Sequence, residues 1–344
     1  MSQPLTRLTS SLRRNWRLLL LCLAALLLAL TFIQPILPLQ QASYRYVFIL
    51  DITQSMNVRD SGKDGQESRL EVAKRAVDQA LLALSQSCVN QAGLGLFTGH
   101  RSLLLMLPVD VCTHLHELRG ELAQISSRMA WETRSEVAKG LYSGLVMARQ
   151  LPSQSRLVFI SDGHEAPPIN VALPPKFNKG VPGEVDGLIV GVGGTGLTPI
   201  PKLNKAGEIS GYWRADEVLQ VDTVSLGRRT SSGREQLSGT GTETAQDSLQ
   251  QRISAGTEHL SSLREDYLQE LAAKTQLHYL RLDTPQNLVQ RLRDRDFAEF
   301  IRVERDARWL FGSTALALLG LILLFDQFGR LQLGRQPGRQ QSAS

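Results

Sequence analysis

The run from Leu18 to Leu39 (LLLLCLAALLLALTFIQPILPL) carries no charged residue. A bilayer core is spanned by a helix of about 20 such residues, so the chain has to place this stretch in lipid or in a protein interior. Arg7, Arg13, Arg14 and Arg17 precede it. Positive charge stays on the cytoplasmic side, so the N-terminus is expected inside and the chain emerges outside. A cleaved signal peptide is the competing reading, but Gln40 and Ala42 make a poor cleavage site. A second apolar run, Trp309 to Phe325 (WLFGSTALALLGLILLF), follows Arg302, Arg305 and Arg308 and precedes Asp326 and a polar tail. It has no polar face, which argues against a buried core helix.

Two spans divide the chain into a basic tail (1–17), a first transmembrane helix (18–39), a central domain (40–308), a second transmembrane helix (309–325) and a second tail (326–344). Both termini are expected in the cytoplasm and the centre in the periplasm of a bacterial inner membrane. The 344 residues carry 38 Lys and Arg against 33 Asp and Glu, a net charge of +5, which is too mild a bias for a nucleic-acid binder. Three cysteines exclude a disulfide-dense scaffold and a four-cysteine zinc site.

Within the centre, apolar runs of strand length alternate with helical patterns. The runs 44–50, 92–97, 102–109, 156–160, 185–192 and 278–282 read as strands, and 113–127, 136–150 and 263–274 as helices. Ser68 and Glu71 form a capping box ahead of a helix with Leu70, Ala73, Val77, Ala80, Leu81 and Leu84 on one stripe. Thr284-Pro285 opens a last helix. The expected class is α/β, a doubly wound and mostly parallel sheet with one antiparallel edge strand contributed by a hairpin. The polar stretch 223–258 reads as a flexible insertion. A turn centred on His100 sets Cys88 opposite Cys112 across that hairpin, so a disulfide is plausible in an oxidising compartment, unless a bulge shifts the register.

Asp51-Ile-Thr53-Gln-Ser55 lies directly after the first strand and Asp162 directly after another. Open α/β sheets bind ligands at the carboxyl ends of their strands. Oxygen side chains gathered there, with no Cys or His interleaved, suit a hard cation such as Mg²⁺ rather than zinc or copper. Gly191-Val-Gly193-Gly-Thr-Gly196 fits a dinucleotide fingerprint, but Pro199 and Pro201 oppose the helix that reading needs. No arrangement of Ser, His and Asp suits nucleophilic catalysis, and the chain is read as a binding protein rather than an enzyme.

These loops resemble those of von Willebrand factor A domains. The first is similar to the D-x-S-x-S of their metal-ion-dependent adhesion site, with Thr53 at the middle position. Arg134-Ser135-Glu-Val137-Ala138-Lys-Gly140-Leu141 is similar to the second metal loop, with Ser135 in the Thr position and Thr133 as the neighbouring alternative. Ile160-Ser161-Asp162-Gly163 is similar to the third. The resemblance implies that Thr53 and Ser55 bind a divalent cation directly, Mg²⁺ first and Ca²⁺ or Mn²⁺ as alternatives. Ser135 would bind directly or through water, Asp51 and Asp162 would hold coordinated waters, and a protein partner's acidic residue would complete the shell. On the residues alone, Asp60 either supports the metal loop through hydrogen bonds or simply caps a turn, and His164, beside the metal loop, shapes its rim. Within the family two bacterial groups look closest. The segment Asp162-Gly-His164-Glu165-Ala-Pro167-Pro168 resembles accessory proteins of methanol dehydrogenase, which implies a part in maturing that quinone-dependent enzyme. The string Ser55-Met56-x-x-x-Asp60 and the flanking helices resemble the Bat type, which is associated with MoxR ATPases and stress tolerance.

Overall fold

The computed structural model describes residues 4–33, 35–151, 154–169, 175–218 and 256–333. It divides into two units, one formed by the two ends of the chain (1–42 and 300–344) and one by residues 43–299.

The central unit is built on six strands: β1 (Arg45–Asp51), β2 (Gln91–Thr98), β3 (Arg101–Asp110), β4 (Arg156–Ser161), β5 (Gly187–Gly191) and β6 (His278–Arg281). Their order across the sheet is β6-β5-β4-β1-β2-β3. All neighbours run parallel except β3, which returns antiparallel along β2. β1 lies in the middle, and Tyr46 to Leu50 are fully buried, as a strand covered on both faces requires. Because side chains alternate, Tyr46, Phe48 and Leu50 enter one core and Val47 and Ile49 the other. The first core is closed by α1 (Arg69–Leu84), α2 (Leu115–Gln124) and α5 (Pro285–Leu292), the second by α3 (Val137–Arg149) and α4 (Glu265–Thr275). This three-layer arrangement is the α/β class expected from the alternation of patterns.

Helix starts follow local chemistry. The Glu71 N–H donates to Ser68 Oγ at 3.2 Å and the Ser68 N–H to Glu71 Oε2 at 2.9 Å, so the capping box is complete. Thr284 caps α5 with Pro285 in its first turn. Directly after Gly196 the described residues form no helix. The chain forms the short strand Thr198–Pro199 and then a hairpin of Pro201–Leu203 and Ile209–Tyr212, in line with the two prolines.

Cys88 and Cys112 are bonded, with their Cα atoms 4.9 Å apart. The β2–β3 ladder does not hold one register, because β-bulges interrupt it between Ala92 and Leu94 and between Leu94 and Gly95. The cysteines lie beyond both strand ends, where the bond ties the chain at the amino end of β2. Entry to and exit from this unit are neighbours: Arg45, at the start of β1, pairs with Glu299 at 3.1 Å.

In the other unit, helix Pro4–Thr31 ends before the expected limit at Leu39, and the chain is a strand over Ile36–Ser43, paired with Glu299–Asp306. Pro35 offers no N–H to continue a helix. The apolar part of this helix is Leu18–Thr31, about 21 Å at 1.5 Å per residue, short of the roughly 30 Å hydrocarbon core. Among the described residues one helix is long and apolar enough to cross a membrane, over Arg308–Phe325. Trp16 stands edge-on to Phe325 at 5.6 Å. Most of the insertion expected at 223–258, and the end of the 326–344 tail, lie outside the described residues.

Candidate functional site

The site forms where β1 and β4 end. Asp51, the last residue of β1, is fully buried. Its Oδ1 accepts the Thr53 N–H at 2.9 Å and its Oδ2 accepts the Ser161 hydroxyl at 2.6 Å. These bonds bend the chain into the short 3₁₀ turn Gln54–Asn57, which turns the Thr53 and Ser55 hydroxyls toward each other at 3.2 Å. Burial, joined by the charge of Asp162, pushes the Asp51 carboxyl up to about 7. Asp51 has no cationic hydrogen-bond partner among the described residues.

Ser135 arrives from a loop far along the chain. It bridges Gly99 on one side and Ala166 on the other, exchanging backbone bonds with Ala166 at 2.8 and 2.7 Å, and its hydroxyl donates to the His164 carbonyl at 2.7 Å. Thr133, the alternative position, is exposed. Thr53, Ser55, Thr133, Ser135 and His164 all line one pocket of about 160 Å³. Three of the expected hydroxyl-bearing residues, from two loops, therefore line one space.

Asp162, expected to hold a coordinated water, is engaged by protein groups. Its Oδ1 accepts the His164 N–H at 3.0 Å, and its Oδ2 accepts Arg69 Nη1 at 2.5 Å and the Ser261 hydroxyl at 3.3 Å. Arg69 is fully buried. Its Nε donates to Asp60 Oδ1 at 3.0 Å and its Nη2 to Asp60 Oδ2 at 2.5 Å and to the Ser261 carbonyl at 3.2 Å. Asp60 is thereby linked to Asp162 through Arg69. Burial would raise its carboxyl, but the hydrogen bonds and charge of Arg69 hold it below the usual range. Burial likewise works against the Arg69 cation, and the charges of Asp162 and Asp60 outweigh it.

Arg69 and its role are absent from the pattern reading, although the glycine-rich stretch offered a signal. A Cβ on Gly193, which holds φ +131°, would lie 2.6 Å from Arg69 Nε, and one on Gly194 would lie 3.1 Å from Asp60 Oδ2. The glycines after β5 make room for a buried ion pair.

His164 is 2% exposed. Its Nε2 stands 3.8 Å from the Glu258 carboxylate. Burial pushes the imidazole down to about 4. Glu165, also missed, accepts the Tyr267 hydroxyl at 2.6 Å and the Ala138 N–H at 2.9 Å. It satisfies a free N–H at the start of α3 from another loop, and burial pushes its carboxyl up to about 7.

The donor set at the pocket floor is oxygen only, backed by the buried carboxylate of Asp51. That chemistry fits a hard divalent cation. Among the described residues no group of three or more His, Cys, Asp or Glu side chains could hold a metal, so such an ion would rest on hydroxyls.

The fold and site define a doubly wound α/β domain with hydroxyl-bearing loops at the carboxyl end of its sheet. No family model matches the sequence and no curated protein does. Solved structures similar to the chain include an aerotolerance-related membrane protein from Bacteroides fragilis (16% identity, 73% of this chain and 96% of that one, TM-score 0.45). Others are BatB from Bacteroides thetaiotaomicron (17%, 73% and 96%, 0.44) and the ArnB paralog VWA2 from Sulfolobus acidocaldarius (11%, 75% and 46%, 0.34).

Proposed function

We propose that this chain is a membrane-anchored binding protein whose central domain captures a protein partner through a divalent cation, without turnover. Thr53, Ser55 and Ser135 would hold the ion, with Mg²⁺ as the first choice. The Asp51 carboxylate behind them would supply charge. The ion provides a fixed positive centre for an acidic side chain of the partner. The observation that carries this reading is that those three hydroxyl-bearing residues line one pocket, next to a buried carboxylate that lacks a cationic partner among the described residues.

The anchor would be helix Arg308–Phe325 together with the apolar N-terminal helix, whose Leu18 and Leu26 are 61% and 57% exposed. The central domain would then face the periplasm, where the Cys88–Cys112 bond can form. Of the two bacterial groups that the sequence resembles, we carry forward the Bat type, acting in complex assembly or stress tolerance. Its Ser55-Met56-x-x-x-Asp60 string corresponds to a physical unit here: Ser55 at the pocket, Met56 in the core and Asp60 on Arg69. The role in maturing methanol dehydrogenase gains no comparable support.

A metal-free scaffold is the second reading, favoured by one observation: Arg69 already neutralises Asp162. Calorimetry with Mg²⁺, Mn²⁺ and Ca²⁺ on the full chain in lipid nanodiscs, beside Asp51→Ala, separates the two. Binding that disappears in the variant supports the cation site. Absence of binding in the unsubstituted chain, with and without cell extract, overturns it.

A further inference from the structure

The pocket lined by the three hydroxyl residues is larger than one cation and its waters need, and part of its wall is apolar. Ala166, Ile200, Trp213 and Val218 line it together with Thr53 and Ser55. The wall is held in place by the backbone: the Trp213 N–H donates to the Ile200 carbonyl at 3.0 Å and the Ile200 N–H to the His259 carbonyl at 3.1 Å. Arg128 Nη1 donates to the Lys205 carbonyl at 3.3 Å, joining the hairpin to the loop before Ser135. An enclosed apolar volume of about 150 Å³ takes up benzene, and this pocket measures about 160 Å³. That is room for one ring-sized side chain, well below the 300–1,000 Å³ of small-molecule sites.

The segment before Ser135 carries exposed Met129 and Trp131, and the hairpin that ends next to Trp213 carries exposed Ile209 and Tyr212, each at least 40% exposed. The preference for an acidic visitor rests on the cation, since the pocket lining itself includes Glu217 and Glu258 beside Arg134. Glu217 is engaged by Lys202 at 2.6 Å, Glu258 faces His164, and Arg134 stands exposed at the rim.

We infer that the pocket receives a ring-sized apolar side chain adjacent, in the partner's sequence, to the acid that reaches the hydroxyls. The partner is thus a polypeptide segment read two residues at a time, an acid at the Thr53–Ser55–Ser135 end and an aromatic or large aliphatic group against Trp213. This rests on the cation reading above and adds the neighbour's identity to it.

The test is saturation-transfer NMR on the full chain in lipid nanodiscs. The probes are acetyl-Phe-Asp-Phe-amide, acetyl-Ala-Asp-Ala-amide and acetyl-Phe-Asn-Phe-amide, each with Mg²⁺ and with EDTA. The expected result is Phe-Asp-Phe binding about tenfold tighter than Ala-Asp-Ala in Mg²⁺. That preference should be lost in Trp213→Ala and kept in Trp213→Phe, which controls for a folding defect. Equal binding of Phe-Asp-Phe and Ala-Asp-Ala, both dependent on Mg²⁺, overturns the pocket and leaves the cation reading standing. A preference for Phe that survives both EDTA and the change to Asn supports the pocket and removes the cation. No binding of any probe overturns the inference.

Discussion

Arg69 Nη1 donates to Asp162 Oδ2 at 2.5 Å, with both side chains fully buried. This bond ties the first turn of α1 to the loop after β4, and Asp60 holds the other edge of the same guanidinium. Removing one partner of a buried pair leaves an uncompensated charge, which costs about 3–5 kcal/mol. Arg69→Met is expected to lower stability by that amount in denaturant unfolding. Arg69→Met combined with Asp162→Asn should recover part of the loss. A loss below about 1 kcal/mol for the single variant would show that the pair contributes little.

Glu165 gives the domain a pH dependence of opposite sign to that of a salt-bridged acid. Its folded carboxyl titrates near 7 against an ordinary value of 4.5. Between those values the folded chain keeps a proton that the unfolded chain has released. Stability from this group is therefore complete below about pH 4.5 and is lost as pH rises to about 7, by at most roughly 3 kcal/mol. Glu165→Gln should flatten that part of the stability–pH curve. An unchanged slope would reassign it.

The Cys88–Cys112 bond closes a segment of 24 residues. Its removal is expected to cost about 2–4 kcal/mol. It lies at the amino end of β2, whereas Asp51 pairs with Phe97 near the carboxyl end of that strand. Cys88→Ser should therefore lower the unfolding midpoint without altering ligand binding at 25 °C. A change in binding affinity in the folded variant would contradict this separation.

Gly140 is the close-approach position between α3 and β2. A Cβ there would lie 2.1 Å from the Phe97 ring. Alanine normally favours a helix over glycine by about 1 kcal/mol, but overpacking of this kind costs about 1–3 kcal/mol. Gly140→Ala is expected to destabilise on balance, and Phe97→Leu in the same chain should restore part of it. Thermal unfolding of the single and double variants measures both.

The central strands were legible because burial on both faces leaves uninterrupted apolar runs, as in Tyr46 to Leu50. The Asp51–Ser55 loop was legible because it directly follows such a run. Arg69 and Glu165 were not, because their partners lie 93 and 102 residues away and no local spacing encodes a bond of that kind. The bulges in β3 depend on fit against β2, which alternation alone does not specify. At the N-terminus, hydropathy carried the helix to Leu39, whereas it ends at Thr31, ahead of a proline that has no N–H to continue it.

The Arg45–Glu299 pair holds the two chain crossings of the central unit side by side. A unit with adjoining ends can be cut out and set into a surface loop of another protein, or have its ends fused and a new opening made elsewhere. Gly65, exposed in the turn before α1, with open space where a side chain would begin, is a natural place for that opening. The domain is by construction a portable cassette.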